Sequence, residues 1–209
     1  MISHQLKIIF IHIRKTGGNS LALFLKDYIN DKILITESKL GKSDGIKIIS
    51  ELDNQSEIKH NYLEWYYKNY SPKICNMYVK IVIVRNPYDR MMSYYFYKSK
   101  QTTNSKIKFE RKVYLKVLFA LDTQIKYLQV DGLIPHNTKI IKFENMIDDL
   151  SKIENLKNLD WSSFPKIDRS KNSLFGTDSY LNFLTPELKK ITYRKFKEDF
   201  ETFGYDPNL

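Results

Sequence analysis

The chain has 209 residues, 42% hydrophobic and 28% charged, with a formal net charge of +10; this composition excludes a disordered polymer and suits one domain that buries roughly 70% of its unfolded surface. A lone cysteine, Cys75, excludes an internal disulfide and a CxxC metal site. The 28 lysines are dispersed among abundant Ile, Asn and Tyr and argue little for nucleic acid, whereas three of only six arginines (Arg14, Arg85 and Arg90) fall in two motifs.

In chain order, Lys7–Ile13 reads as a short buried strand ending at Gly17 and Gly18. From Ser20, apolar residues at Leu21, Phe24, Leu25, Tyr28 and Ile29 mark a helical stripe. Lys32–Thr36 and Ile46–Ser50 are further strand candidates, with a turn at Leu40–Gly45 between them. Glu57–Tyr70 is expected to be helical, with Tyr62, Trp65, Tyr66 and Tyr70 on one side and Pro72 closing it. Tyr78–Val84, "YVKIVIV", is the strongest strand in the chain. It runs through "RNPYDR" into a helix at Asp89–Lys100, and a polar loop covers Ser99–Lys106. A helix over Val113–Gln129, a buried strand at Thr138–Phe143 and a helix near Glu144–Leu156 follow. Asn158–Tyr180 is loop-rich. Thr185-Pro186-Glu187 starts a final helix that ends near Phe200.

Strands alternating with helices predict an α/β fold: a single-domain parallel β-sheet over residues 1–209, flanked by helices. Ligands of such sheets bind at the C-terminal ends of the strands. Lys15 and Arg85 each lie just past a predicted strand end. No apolar run reaches the ~20 residues that span a bilayer. The N-terminus lacks the charged n-region and small-residue cleavage site of a signal peptide, so a cytoplasmic chain is expected.

The segment "IIFIHIRKTGGNSLALFL" (Ile8–Leu25) is built to hold an anion. A turn between strand and helix exposes successive N–H groups, and the helix start adds roughly half a positive charge. Gly17 and Gly18 let the backbone approach a ligand closely. Arg14 and Lys15 add full charges, and Thr16 or Ser20 offers a hydroxyl. In the nucleoside-triphosphate P-loop the lysine follows the glycines. Here it precedes them, so the cradle is of another kind.

"KTGGNS" after a strand resembles the 5′-phosphosulfate loop of sulfotransferases that use 3′-phosphoadenosine 5′-phosphosulfate (PAPS), particularly the carbohydrate, Golgi-type group of sulfotransferase family 2. The usual form is like "PKTGGTS"; Arg14 stands for its proline and Asn19 for its threonine. "VRNPYDRMMSYY" resembles the same group nearly residue for residue. That resemblance implies a P-loop-like sulfotransferase fold in which Arg14, Lys15, Thr16, Gly17, Gly18, Asn19 and Ser20 hold the phosphosulfate end. It implies that Arg85 and Ser93 hold the 3′-phosphate. A guanidinium makes paired, charge-assisted bonds to phosphate oxygens, and a serine adds a further donor. Arg169 and Lys171, in "DRSKNS", fall where the family has a loop near the nucleotide. "TQIKYL" (Thr123–Leu128), "KIIKFENM" (Lys139–Met146) and the C-terminal "DFETFGY" also resemble the family, and they read as structural, as do Asp89 and Arg90.

Sulfuryl transfer to an alcohol needs a group that takes the hydroxyl proton. His12 lies inside the first strand and reads as core, His4 is terminal, and His136 sits in a turn. His60, in "IKHNY", resembles the family's "KH" segment and is the expected general base, with Glu51 or Glu57 as alternatives. The function implied is transfer of a sulfuryl group from PAPS to a hydroxyl, on a carbohydrate acceptor. Neither a metal, a nucleic-acid partner nor a membrane span is expected. The competing readings are a polyanion- or nucleic-acid-binding module and an ATP-dependent phosphotransferase. Tyr62, Trp65, Tyr66, Tyr94 and Tyr95 can either stack on sugar rings or fill the core.

Overall fold

The computed structural model describes residues 1–29, 60–100, 109–165 and 183–208. The strand candidates at 32–36 and 46–50, Glu51, Glu57, Arg169 and Lys171 lie outside the described residues. Two compact units divide the chain, Met1–Val84 with Tyr127–Lys166 and Arg85–Lys126 with Ile167–Leu209.

Among the described residues, the first unit is built on a four-stranded sheet of β1 (Ile2–Ser3), β2 (Ile8–Ile11), β3 (Val79–Val84) and β4 (Thr138–Lys142), in that spatial order. β1 is antiparallel to β2, while β2, β3 and β4 are mutually parallel. All four residues of β2 are buried, and β3 is buried from Lys80 to Val84. Strands covered on both faces read as unbroken apolar runs, which is why "IIFI" and "IVIV" do not alternate. Each such Ile or Val contributes about 1.5–3 kcal/mol by leaving water. The described α-helices of this unit are α1 (Gly18–Leu25), α2 (Leu63–Asn69), α3 (Pro72–Met77) and α6 (Met146–Ser151).

Lys80 is the exception within β3. It is fully buried, and its Nζ donates to the carbonyls of Cys75 (2.8 Å) and Tyr78 (3.2 Å). These are the carbonyls left over at the end of α3, so the ammonium caps that helix. Burial lowers the Lys80 pKa and raises that of the Cys75 thiol.

β4 differs from expectation. It is exposed at Lys139 and Ile140, because only β3 pairs with it among the described strands. The helix expected after it is a single short one. Beyond Ser151 the chain turns repeatedly, with Ile153, Leu156 and Leu159 each donating to the carbonyl three residues back.

The second unit packs α4 (Pro87–Lys100), α5 (Arg111–Ala120) and α7 (Pro186–Phe203) around one core. Tyr88, Met91, Met92, Tyr95 and Phe96 recur at helical spacing on α4 and meet Tyr114, Leu118, Leu188, Phe196 and Phe200. Asn86 starts α4: its Oδ1 accepts the Tyr88 N–H and its carbonyl accepts the Arg90 N–H. Thr185 starts α7 by accepting the Leu188 N–H, Pro186 follows at the first turn, and Gly204 closes the helix in the left-handed region at φ 62°.

Candidate functional site

The loop from His12 to Ser20 joins the C-terminal end of β2 to α1. Lys15 has φ 68° and Gly17 has φ 85°, with Thr16 between them at negative φ. Alternation of sign turns successive N–H groups toward one side, as in an anion-binding nest. Gly17 is the N-cap of α1 and offers no side chain to the first turn, which also contains no acidic residue. The positive end of that helix therefore faces the loop without a competing carboxylate.

The side chains of this loop divide by burial. Thr16 is 1% exposed, and its hydroxyl donates to the Ile13 carbonyl at 3.0 Å, bracing the turn from within. Arg14 and Asn19 are exposed, whereas Lys15 and Ser20 are half-buried. Gly17 and Gly18 are both required sterically. A Cβ on Gly17 would lie 2.8 Å from the Phe143 ring, and one on Gly18 would lie 2.2 Å from Cδ2 of His12.

His12 is buried, as expected, but it does more than fill the core. Its ring is stacked on Phe10 and lies 4.7 Å, centroid to centroid, from the ring of His60. The Nδ1 of His60 is 2.9 Å from the His12 carbonyl oxygen. A carbonyl only accepts, so Nδ1 carries the proton and, in the neutral ring, Nε2 carries the lone pair. Thus the structure joins His60 to the loop of Gly18 through His12. His4, bonded to the Tyr78 hydroxyl, and His136 are exposed.

Parallel pairing puts the C-terminal ends of β2 and β3 side by side, with Ile11 opposite Val82. Arg85 directly follows Val84 and is half-buried. Its backbone is gripped twice by Gln124: the Arg85 N–H donates to Oε1 and the Arg85 carbonyl accepts from Nε2, both at 2.9 Å. The carboxylate of Asp199 accepts the backbone N–H groups of Gln124 (2.8 Å) and Ile125 (2.9 Å). Burial raises the Asp199 pKa, opposed by those two bonds and by the Arg90 charge. Arg90 is 1% exposed, donates from Nη1 to the Asp122 carbonyl at 2.8 Å and lies over the Phe196 ring. Ser93 is half-buried in the second turn of α4.

Tyr66, Tyr94 and Tyr95 are core residues. Tyr62 and Trp65 are half-buried, and Tyr62 packs at a tilt against Tyr127, 4.5 Å between ring centroids. The described residues contain no group of three or more His, Cys, Asp or Glu placed to hold a metal ion, and no helix long and apolar enough to cross a membrane.

A nested loop at a strand end, a lysine within it and a helix start behind it form a donor set suited to an anion. No curated protein and no solved structure matches the chain. The model of the sulfotransferase family, however, matches residues 1–128, which include the loop, His60, β3, Arg85 and Gln124. With its mostly parallel sheet and flanking helices, the chain belongs to the sulfotransferase family, whose chemistry is sulfuryl transfer.

Proposed function

We propose that residues 1–209 act as one sulfotransferase domain that moves a sulfuryl group from PAPS to the hydroxyl of a carbohydrate. The observation that carries this reading is the nested loop of Lys15 and Gly17 with His60 fastened beside it through the His12 carbonyl. PAPS supplies the sulfuryl group. Lys15, Arg14, the N–H groups of Thr16–Asn19 and the Ser20 hydroxyl hold its phosphosulfate end, and Arg85 and Ser93 hold its 3′-phosphate. The Nε2 of His60 takes the acceptor's hydroxyl proton as that oxygen bonds to sulfur. Lys15 and the loop N–H groups neutralise the charge left on the departing phosphate oxygen. Positioning and fixed charge then supply most of the rate, as in phosphoryl transfer.

The test is transfer of labelled sulfate from PAPS to a panel of glycans. The chain is expected to label at least one glycan. Lys15→Ala should lower turnover roughly 10²–10³-fold, as loss of an oxyanion-type donor does. His60→Ala should lower it roughly 10²–10⁴-fold. Tight binding of adenosine 3′,5′-bisphosphate with no transfer to any hydroxyl would refute the reading. Protection from heat by ATP but not by the bisphosphate would favour a phosphotransferase instead. Steeply salt-dependent binding to DNA or RNA would favour the polyanion reading.

A further inference from the structure

β3 and β4 pair through Val84 and Lys142. One residue on, the partner of the backbone changes from a strand to a side chain. The Gln124 amide donates to and accepts from the same residue, Arg85, much as a neighbouring strand would. Gln124 and Asp199 are both fully buried. The backbone N–H groups of Gln124 and Ile125 donate to Asp199, and the Asp122 carbonyl accepts from Arg90. Asn86, the next residue after Arg85, is fixed by its role at the start of α4. Arg85 is therefore gripped from the side and anchored ahead, with a strand behind it.

Nothing in that arrangement is needed to end a strand. A turn with a solvated backbone does so at little cost, whereas two buried amide bonds plus a buried carboxylate cost desolvation unless all are satisfied. What the arrangement does fix is the direction in which the Arg85 side chain leaves the backbone. A guanidinium that must meet a phosphate with two parallel N–H groups needs that direction set closely.

We infer that Gln124, itself held by Asp199, is a positioning residue that aims Arg85 at the 3′-phosphate. The pair thereby sets the preference for a 3′,5′-bisphosphorylated adenosine over a 5′-monophosphate. This inference rests on the proposed role of Arg85.

The experiment measures affinity of the full chain for adenosine 3′,5′-bisphosphate and for adenosine 5′-monophosphate by calorimetry. Wild type is expected to favour the bisphosphate, and Arg85→Ala to bring the two affinities together. Gln124→Met, close in size and without polar atoms, should cut the preference about tenfold while leaving monophosphate affinity unchanged. A preference unchanged in Gln124→Met but abolished in Arg85→Ala overturns the inference and spares the role of Arg85. A preference unchanged in Arg85→Ala removes the role of Arg85 itself. If the Met variant does not fold, Gln124→Asn carries the same comparison, because it keeps an uncharged amide but shortens its reach to the Arg85 backbone. Independently of any variant, the Arg85 N–H of wild type should exchange with solvent as slowly as the β3 amides, and exchange at the rate of an open loop overturns the inference.

Discussion

Gly18 and His12 illustrate how a single side chain dictates its neighbour. The His12 ring occupies the space where any Cβ at position 18 would go, at 2.2 Å from Cδ2. Gly18→Ala must push that ring, and with it His60, whose ring packs against it at 4.7 Å between centroids. Overpacking of this kind costs about 1–3 kcal/mol. The cost is expected to shrink by at least about 1 kcal/mol in a His12→Ala background, which denaturation of the two single variants and the double variant will measure. Equal cost in both backgrounds would show that the ring is not the obstacle.

At the scale of elements, caps and long-range clamps decide where helices begin and stop. Thr185 accepts the Leu188 N–H at 3.3 Å, so Thr185→Ala should cost about 1 kcal/mol of stability by denaturant midpoint, with bisphosphate affinity untouched. This start was legible in the sequence, as were β2, β3 and α4, because their signals are local: a cap, a proline, an apolar run. The helix read over Val113–Gln129 stops at Ala120 for a reason no window contains. The N–H groups of Gln124 and Ile125 go to Asp199, some 75 residues away, instead of to the preceding helical turn. β4 looked buried because "KIIKF" is apolar, yet its position at the edge of the described strands depends on pairing, not composition. Around the candidate site, the strand, loop and helix that carry Lys15, Gly17 and Gly18 could be read from local spacing. The seat of His60 on the His12 carbonyl could not, since 48 residues separate the two.

For the molecule as a whole, buried and half-buried acids with raised pKa bear on stability at alkaline pH. Burial raises the pKa of Tyr66, Tyr67, Tyr70 and Cys75 in one unit, and of Tyr88 and Tyr114 in the other. A folded pKa above the unfolded one means stability that is complete below the unfolded value and is lost as pH climbs through the folded value. The loss therefore begins near pH 9 with the thiol and near pH 10 with the phenols. Lys80 works the other way: burial lowers its pKa, so its contribution rises with pH up to the ordinary lysine value near 10.5. Six groups outweigh one. Denaturant midpoints should fall between pH 9 and pH 11, measured at high salt to screen the +10 charge; a flat profile would contradict the raised pKa of these groups.

The backbone of Lys15 lies in the left-handed region, at φ 68°. A side chain there costs about 1–2 kcal/mol, and glycine avoids that cost. Lys15→Gly is accordingly expected to melt no lower than wild type while losing sulfuryl transfer, which paired melting curves and turnover assays will show. On the proposed role of Lys15, directed evolution that ranked clones by heat resistance alone would enrich enzyme of low turnover, so any such campaign on this scaffold has to score turnover in the same round.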